Sequence, residues 1–381
     1  MNWKHVSLGE ISVNIQTGPF GSQLHQSDYS EKGTPVVMPK DLISGHISEE
    51  SIARVSDDHV ERLSRHKIEV GDILYSRRGD VGRCAFASET EAGWLCGTGC
   101  LRVTIDSRKA NPKFVFYQLL KADTIGWVEK HAVGSTMLNL NTSILSSVPI
   151  DLPSHDKQNH IVGVLSAYDD LIENNQKQVK LLEEAAQRLY KEWFVDLRFP
   201  GHETTPIVGG IPEGWHNAVV TDLLEINYGK DHKALEDGSI PVYGSGGLMR
   251  KVNKILHSGE CVLIPRKGSL NNIILVNDDF WTIDTMFFGV PRQPNVAKYV
   301  YLFLLGVDMY AMNIGAAVPS MTVKILDGMK ILCPAPEILE QFENMVRPFF
   351  SMIEILKKKN KSLADARDLL LPKLMSGELE V

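Results

Sequence analysis

A chain of 381 residues exceeds the usual single domain, and its ordinary proportions, 43% hydrophobic, 8% aromatic and 23% charged, exclude a disordered or fibrous protein. A net charge of −7 argues against a free-standing nucleic-acid binder, because neutralising phosphates requires a basic surface. The first 150 residues are nearly neutral, 16 basic against 17 acidic, so any affinity for DNA has to come from local clusters or from partners.

Residues 1–150 begin with MNWKHVSLGE, which has no apolar signal core, and continue as short β-branched or apolar runs punctuated by Gly and Pro. Strands are predicted over 35–38, 72–75 and 101–105. Residues 17–23, TGPFGSQ, form a tight loop whose backbone can approach a ligand closely, although a plain turn reads equally well. Pro39, Lys40 and Asp41 follow the first of these strands, and Arg77 and Arg78 precede Gly79 after the second. Cys96 and Cys100 sit in a Gly-rich segment without a second cluster or a nearby histidine, so the five cysteines read as reduced structural thiols rather than a zinc site. Asn111 and Pro112 start a single predicted helix over 113–122 that turns Phe114, Phe116, Tyr117, Leu119 and Leu120 to a core. Without regular strand-helix-strand alternation, the fold class is α+β with a mostly antiparallel sheet.

Residues 154–193 then read as a long helix. Ile161, Leu165, Tyr168, Ile172, Asn175, Val179, Leu182, Ala186, Leu189 and Trp193 recur at spacings of four and three, a coiled-coil seam. FPGHETTPIVGGIPEGW, 199–215, cannot continue it and reads as a linker. In the second half, Tyr243 to Gly247 resembles a fragment of a dinucleotide loop, but the G-x-G-x-x-G spacing fails and a turn is favoured. A helix is predicted over 297–305; the apolar run 299–307 is too short to span a bilayer, and the chain is expected in the cytosol. Residues 335–374 form a second long helix, in which Pro348 is expected to introduce a kink near 343–347.

The second long helix is a displaced copy of the first. Adding 181 to the seam gives Phe342, Val346, Phe349, Ile353, Leu356, Asn360, Leu363, Arg367, Leu370 and Leu374, apolar at eight of ten places. At the same offset GSTMLNLNTSILSSVPIDLP answers GAAVPSMTVKILDGMKILCP, and further back Trp3 answers Trp215, GDILYSRRG answers GECVLIPRKG, and Trp94 answers Trp281. The organisation is therefore a first globular domain (1–153), a long helix (154–198), a linker (199–214), a second globular domain (215–334) and a second long helix (335–376).

No complete catalytic constellation accompanies this plan. An adenine methyltransferase would carry an Asn/Asp-Pro-Pro-aromatic tetrad, and Asn111, Pro112, Lys113, Phe114 lacks the second proline. Asp72 or Glu69 could in principle hold magnesium for a nuclease, although exposed acids are common in such turns. A dimerisation rod and a scaffold that binds only proteins stay open on the heptads alone.

The GDILYSRRGDVG run, the repeated domain-helix plan, IPEGW at the start of the second domain and the ending ARDLLLPKLMSGELEV together resemble the specificity subunits of type I restriction-modification systems, over nearly the whole chain. The resemblance implies a non-catalytic DNA-binding subunit in which each globular domain reads one part of a split, asymmetric target. It implies helices that pair antiparallel and dock two methyltransferase subunits, with restriction subunits added for cleavage. It also implies no cofactor in this chain, with S-adenosylmethionine in the methyltransferase partner and ATP and magnesium in the restriction partner. DNA contacts are expected from Gly18, Phe20, Ser22, Gln23, Lys40, Arg77, Arg78, Ser135, Thr136 and Asn139 in the first domain, and from Lys230, Ser245, Arg266, Lys267 and Ser320 in the second. Cations there would meet phosphate or guanine, and Asn or Gln adenine. Arg77 and Lys267 are expected at matching turns.

The seam also suggests its own register. Antiparallel pairing about residue 177 sets Asn175 opposite Asn360, whereas parallel pairing would leave two buried amides unpartnered at about 1–3 kcal/mol each. A seam of this length spans about 50 Å, more than one DNA turn, so the two parts of the target are expected about one helical turn apart.

Overall fold

The computed structural model describes residues 3–20, 23–134, 137–315 and 318–380. The chain divides into two compact units, Met1–Glu173 with Asn360–Val381, and Asn174–Lys359. Each unit therefore holds one globular domain, part of one long helix and the opposite end of the other. No helix among the described residues is long and apolar enough to cross a membrane.

In the first unit an antiparallel sheet runs in the order Ser12–Thr17, Cys100–Ile105, Ile73–Ser76, Cys84–Phe86. Its central strands are almost wholly buried, which is why they read as continuous apolar runs rather than alternating ones. A second sheet contains Leu95–Cys96 parallel to Thr34–Val37, and Lys4–Ser7 pairs antiparallel with Pro149–Leu152. The second unit repeats this order with Leu224–Tyr228, Met286–Pro291, Cys261–Pro265 and Ile274–Val276, with Trp281–Thr282 parallel to Asp237–Gly244, and with His216–Val219 against Lys330–Cys333. The internal repeat is thus a repeat of sheet topology. Gly244 and Gly247 face each other across a two-residue hairpin loop, so the glycine-rich stretch there is a turn.

Asn111 caps the helix Pro112–Leu119 by accepting from the Lys113 and Phe114 amides at 2.9 and 3.2 Å. The helix expected over 113–122 is Pro112–Leu119, and a second, unexpected one, Ala122–His131, follows at once. The 199–214 segment is not plain linker: Ile207–Val208 and Ile211–Pro212 form a small hairpin. All five cysteines are unpaired and buried, and burial pushes the Cys84, Cys96 and Cys261 thiols up to about 12.

The first long helix is His155–Tyr190, extended by a π turn over Lys191–Val195; the second is Pro336–Ser376. The second runs as one continuous helix through Pro348, at which a kink was expected; that residue is exposed, where water can satisfy the carbonyl it leaves unpaired. In the first unit Ile161 and Leu165 share a core with Leu370, Leu371 and Leu374, so the start of one helix packs on the end of the other. In the second unit Val179 and Leu182 pack on Ile353 and Leu356, and Leu189 lies with Phe342 and Val346. Both units therefore show antiparallel packing, and truncating one such buried leucine costs about 2–5 kcal/mol. Ile172 and Asn175 are buried, while Leu363 is half-buried. Asn360 donates through Nδ2 to the Ile172 carbonyl at 3.3 Å, within the first unit. Asn175 belongs to the second.

Buried polar groups fix each globular domain to its helices. In the first unit Tyr117 donates to Asp169, whose other oxygen accepts from Arg367 at 2.7 Å. In the second, Lys298 lies 2.5 Å from Glu260 and 2.9 Å from Glu343, and Arg347 reaches the same Glu343 oxygen at 3.1 Å.

Candidate nucleic-acid interface

Four segments of the first domain meet at the end of its main sheet. The Gly18 amide bonds to the Cys100 carbonyl at 2.9 Å, and Thr98 Oγ1 donates to the Pro19 carbonyl at 2.8 Å. A Cβ on Gly18 would stand 2.0 Å from the Gly97 oxygen, so no larger residue fits without moving backbone. The Arg77 amide bonds to the Gly99 carbonyl at 2.7 Å, its own carbonyl accepts from Leu140, and the Gly79 amide bonds to Leu138. Arg78 faces Asn139 across this bridge. Asn139 and Val133 exchange two backbone bonds, closing the intervening loop at its base.

The second domain repeats the main backbone bonds of this construction. Gly229 bonds to Met286 at 3.2 Å, Arg266 to Thr285, Gly268 to Pro319 and Met321 to Arg266, while Lys267 faces Ser320. A Cβ on Gly229 would again stand 2.0 Å from a carbonyl, that of Ile283. The bonds set the correspondence: Arg77 answers Arg266 and Arg78 answers Lys267, which corrects the pairing of Arg77 with Lys267. The strand register agrees, since Ser76 lies opposite Cys100 and Pro265 opposite Met286.

Side chains at these matched positions differ in state. Arg78 is exposed and Arg77 is half-buried; the Arg77 Nε and the Asn139 Oδ1 are both buried without a hydrogen-bond partner. Such groups cost free energy unless an incoming polar ligand meets them. Phe20 is 56% exposed, and its amide donates to the Gln23 side chain at 3.4 Å. The Lys40 ammonium, on a side chain that stays largely exposed, is held by Asp41 at 2.9 Å and by the Ser51 carbonyl at 2.7 Å. Ser22, Ser135 and Thr136 lie outside the described residues. In the second domain Lys230 is exposed, Lys267 lies 3.8 Å from Asp284, and the Ser245 amide bonds to Thr285 Oγ1 at 3.3 Å. Arg266 donates to the Asp284 carbonyl at 3.1 Å and lies over the rings of Tyr228 and Phe287.

Sequence reasoning missed the Thr98–Gly99 turn and its counterpart at 284–285. Their signal was present, because both precede a matched strand. Asp72, weighed as a magnesium ligand, is buried rather than exposed: it accepts from Thr104 Oγ1 and the Glu69 amide and lies 3.4 Å from Arg102. Burial raises its pKa. Among the described residues no group of three or more His, Cys, Asp or Glu is placed to hold a metal ion.

Residues 1–184 match the family described as the type I restriction modification DNA specificity domain. Along most of its length the chain is similar to the type I restriction enzyme MjaIX specificity subunit of Methanocaldococcus jannaschii, with 27% identity over 91% of this chain and 87% of that one. It is also similar to the type I restriction enzyme HindI specificity subunit of Haemophilus influenzae, with 22% identity over 99% of this chain and 100% of that one. Among solved structures it shares its fold with the S subunit of a type I restriction-modification system from M. genitalium, with a TM-score of 0.58 and 18% identity over 98% of this chain and 96% of that one.

Proposed function

We propose that the chain is a specificity subunit of a type I restriction-modification system, each of whose globular domains reads one part of a two-part DNA target through the four converging segments. Members of this family supply DNA sequence specificity and are not themselves catalytic. One observation carries the finer reading: the same backbone bonds hold the same segments in both domains, while several side chains around the matched arginines differ, Asn139 against Ser320 and Thr17 against Tyr228. A shared frame with different tips suits two readers of different sequences, because backbone geometry sets position and side chains set base preference.

The partners in this reading are double-stranded DNA, two methyltransferase subunits docked on the long helices and, for cleavage, restriction subunits. S-adenosylmethionine would enter with the methyltransferase, and ATP with magnesium through the restriction subunit. An exposed apolar stripe in the second unit supports docking there: Met345, Met352 and Ile355 are 51%, 45% and 57% exposed, at helical spacing. The acidic net charge fits a subunit that binds DNA tightly only once assembled.

Sequencing of methylated sites after co-expression with a cognate methyltransferase subunit tests the reading. The expected result is methylation at a split, asymmetric sequence that this chain dictates; methylation at a contiguous site, or independent of this chain, would overturn it.

A further inference from the structure

Arg266 is held differently from its counterpart Arg77. Its guanidinium carbon lies 5.4 Å from the centroid of the Tyr228 ring and 5.9 Å from that of Phe287. Those two rings meet edge to face, 5.1 Å apart at 76°, because Tyr228 and Phe287 are directly opposite in the paired strands. Nη1 donates to the Asp284 carbonyl at 3.1 Å. Two aromatic faces and one carbonyl thus fix the group beside the bridge formed by Lys267 and Ser320. Tyr228 is 53% exposed, so burial of its ring does not explain its place there. At the corresponding position of the first domain, one residue before Gly18, stands Thr17, which offers no ring, and there the Arg77 Nε has no partner.

From this we infer that Tyr228 is a positioning residue for Arg266, holding its guanidinium ready to contact the part of the DNA target read by the second domain. The inference rests on the proposed reading function. Arginine stacks on aromatic faces while its donors stay available at the edge of the plane. A guanidinium already ordered gives up less side-chain freedom on binding than a free one. Guanine, with two acceptors on its major-groove edge, is the base whose geometry matches that fork. Tyr228 therefore acts through Arg266, and the ring is required more than the hydroxyl.

The experiment uses the full chain assembled with its methyltransferase subunit and a duplex carrying the target identified by methylation sequencing. Competition binding is measured against duplexes substituted at single base pairs in either part. Tyr228→Leu is expected to weaken target binding about two- to tenfold and to flatten discrimination in the second part alone. Tyr228→Phe should restore both, and Tyr228→Leu should add nothing in a chain already carrying Arg266→Ala. Additive losses, an unchanged Tyr228→Leu, or a Tyr228→Phe as impaired as Tyr228→Leu would each overturn the inference while leaving the reading function intact. A wild-type assembly that binds target and unrelated duplexes alike would overturn the reading function, and the inference with it.

Discussion

Arg367, at a seam position of the second long helix, donates through Nη1 to the carboxylate of Asp169 on the first at 2.7 Å, with both side chains nearly out of solvent. Tyr117 of the first globular domain donates to the other Asp169 oxygen. Burial and the adjacent carboxylate push the Tyr117 phenol far above its usual range. One carboxylate therefore ties two helices and a domain together. Arg367→Leu strands this charge and is expected to destabilise the first unit by about 3–5 kcal/mol. Replacing Asp169 by Leu as well should recover all but about 1–3 kcal/mol, the cost of leaving the Tyr117 hydroxyl unmet. Urea unfolding of the single and double variants measures this; equal losses in both would show that the ion pair itself, not the stranded charge, is what matters.

His66 provides a pH dependence. It is 1% exposed, neither ring nitrogen has a partner, and burial, with Arg65 and Arg102 nearby, lowers its pKa to about 4. The folded-state value lies below the unfolded one of about 6.5, so the unfolded chain binds the extra proton first. Its contribution to stability is complete above about pH 6.5 and declines as pH falls towards 4. About 1–3 kcal/mol should be lost over that window. Unfolding midpoints of wild type and His66→Phe between pH 4 and 7 test this, the variant being expected to show the shallower decline.

The heptad seam, the repeat and the mixed fold were legible because each leaves a periodic trace: apolar residues at three and four, and the same residues again at offset 181. What escaped were contacts between segments distant in sequence. Arg367 breaks the apolar pattern, and nothing local says that Asp169 and Tyr117 will meet it. Lys40 reads as a free cation beside a turn, yet its ammonium donates to the Ser51 carbonyl. The match of Arg77 to Arg266 was obscured because GDILYSRRG and GECVLIPRKG differ by one residue in length, and only the strand register settles how they align.

That alignment leads to a paired prediction. Arg77→Ala and Arg266→Ala should each weaken binding of the assembled complex by about 1–3 kcal/mol and relax base preference in one part of the target only, a different part for each. The exposed Arg78 and its counterpart Lys267 suit phosphate instead, and Ala there should reduce the slope of log affinity against log salt by about one without changing preference. Binding isotherms at several salt concentrations separate the two outcomes. Relaxation in both parts by a single substitution would refute independent readers.

The last prediction concerns the stripe of Met345, Met352 and Ile355. Val346, Ile353 and Leu356, each one residue further along, are buried against the first long helix within the second unit or in its core, so the stripe lies on a different side of the same helix. Replacing an exposed residue there changes stability by no more than about 0.5 kcal/mol. If the methyltransferase subunit covers the stripe, Met352→Glu together with Ile355→Glu buries two charges in an apolar contact, where each stands to cost 2 kcal/mol or more, about thirtyfold in affinity. The expected outcome is a chain that unfolds like the wild type but no longer co-purifies with the methyltransferase subunit and no longer directs methylation. Retained co-purification with an unchanged unfolding profile would move the docking surface to another face of the helices.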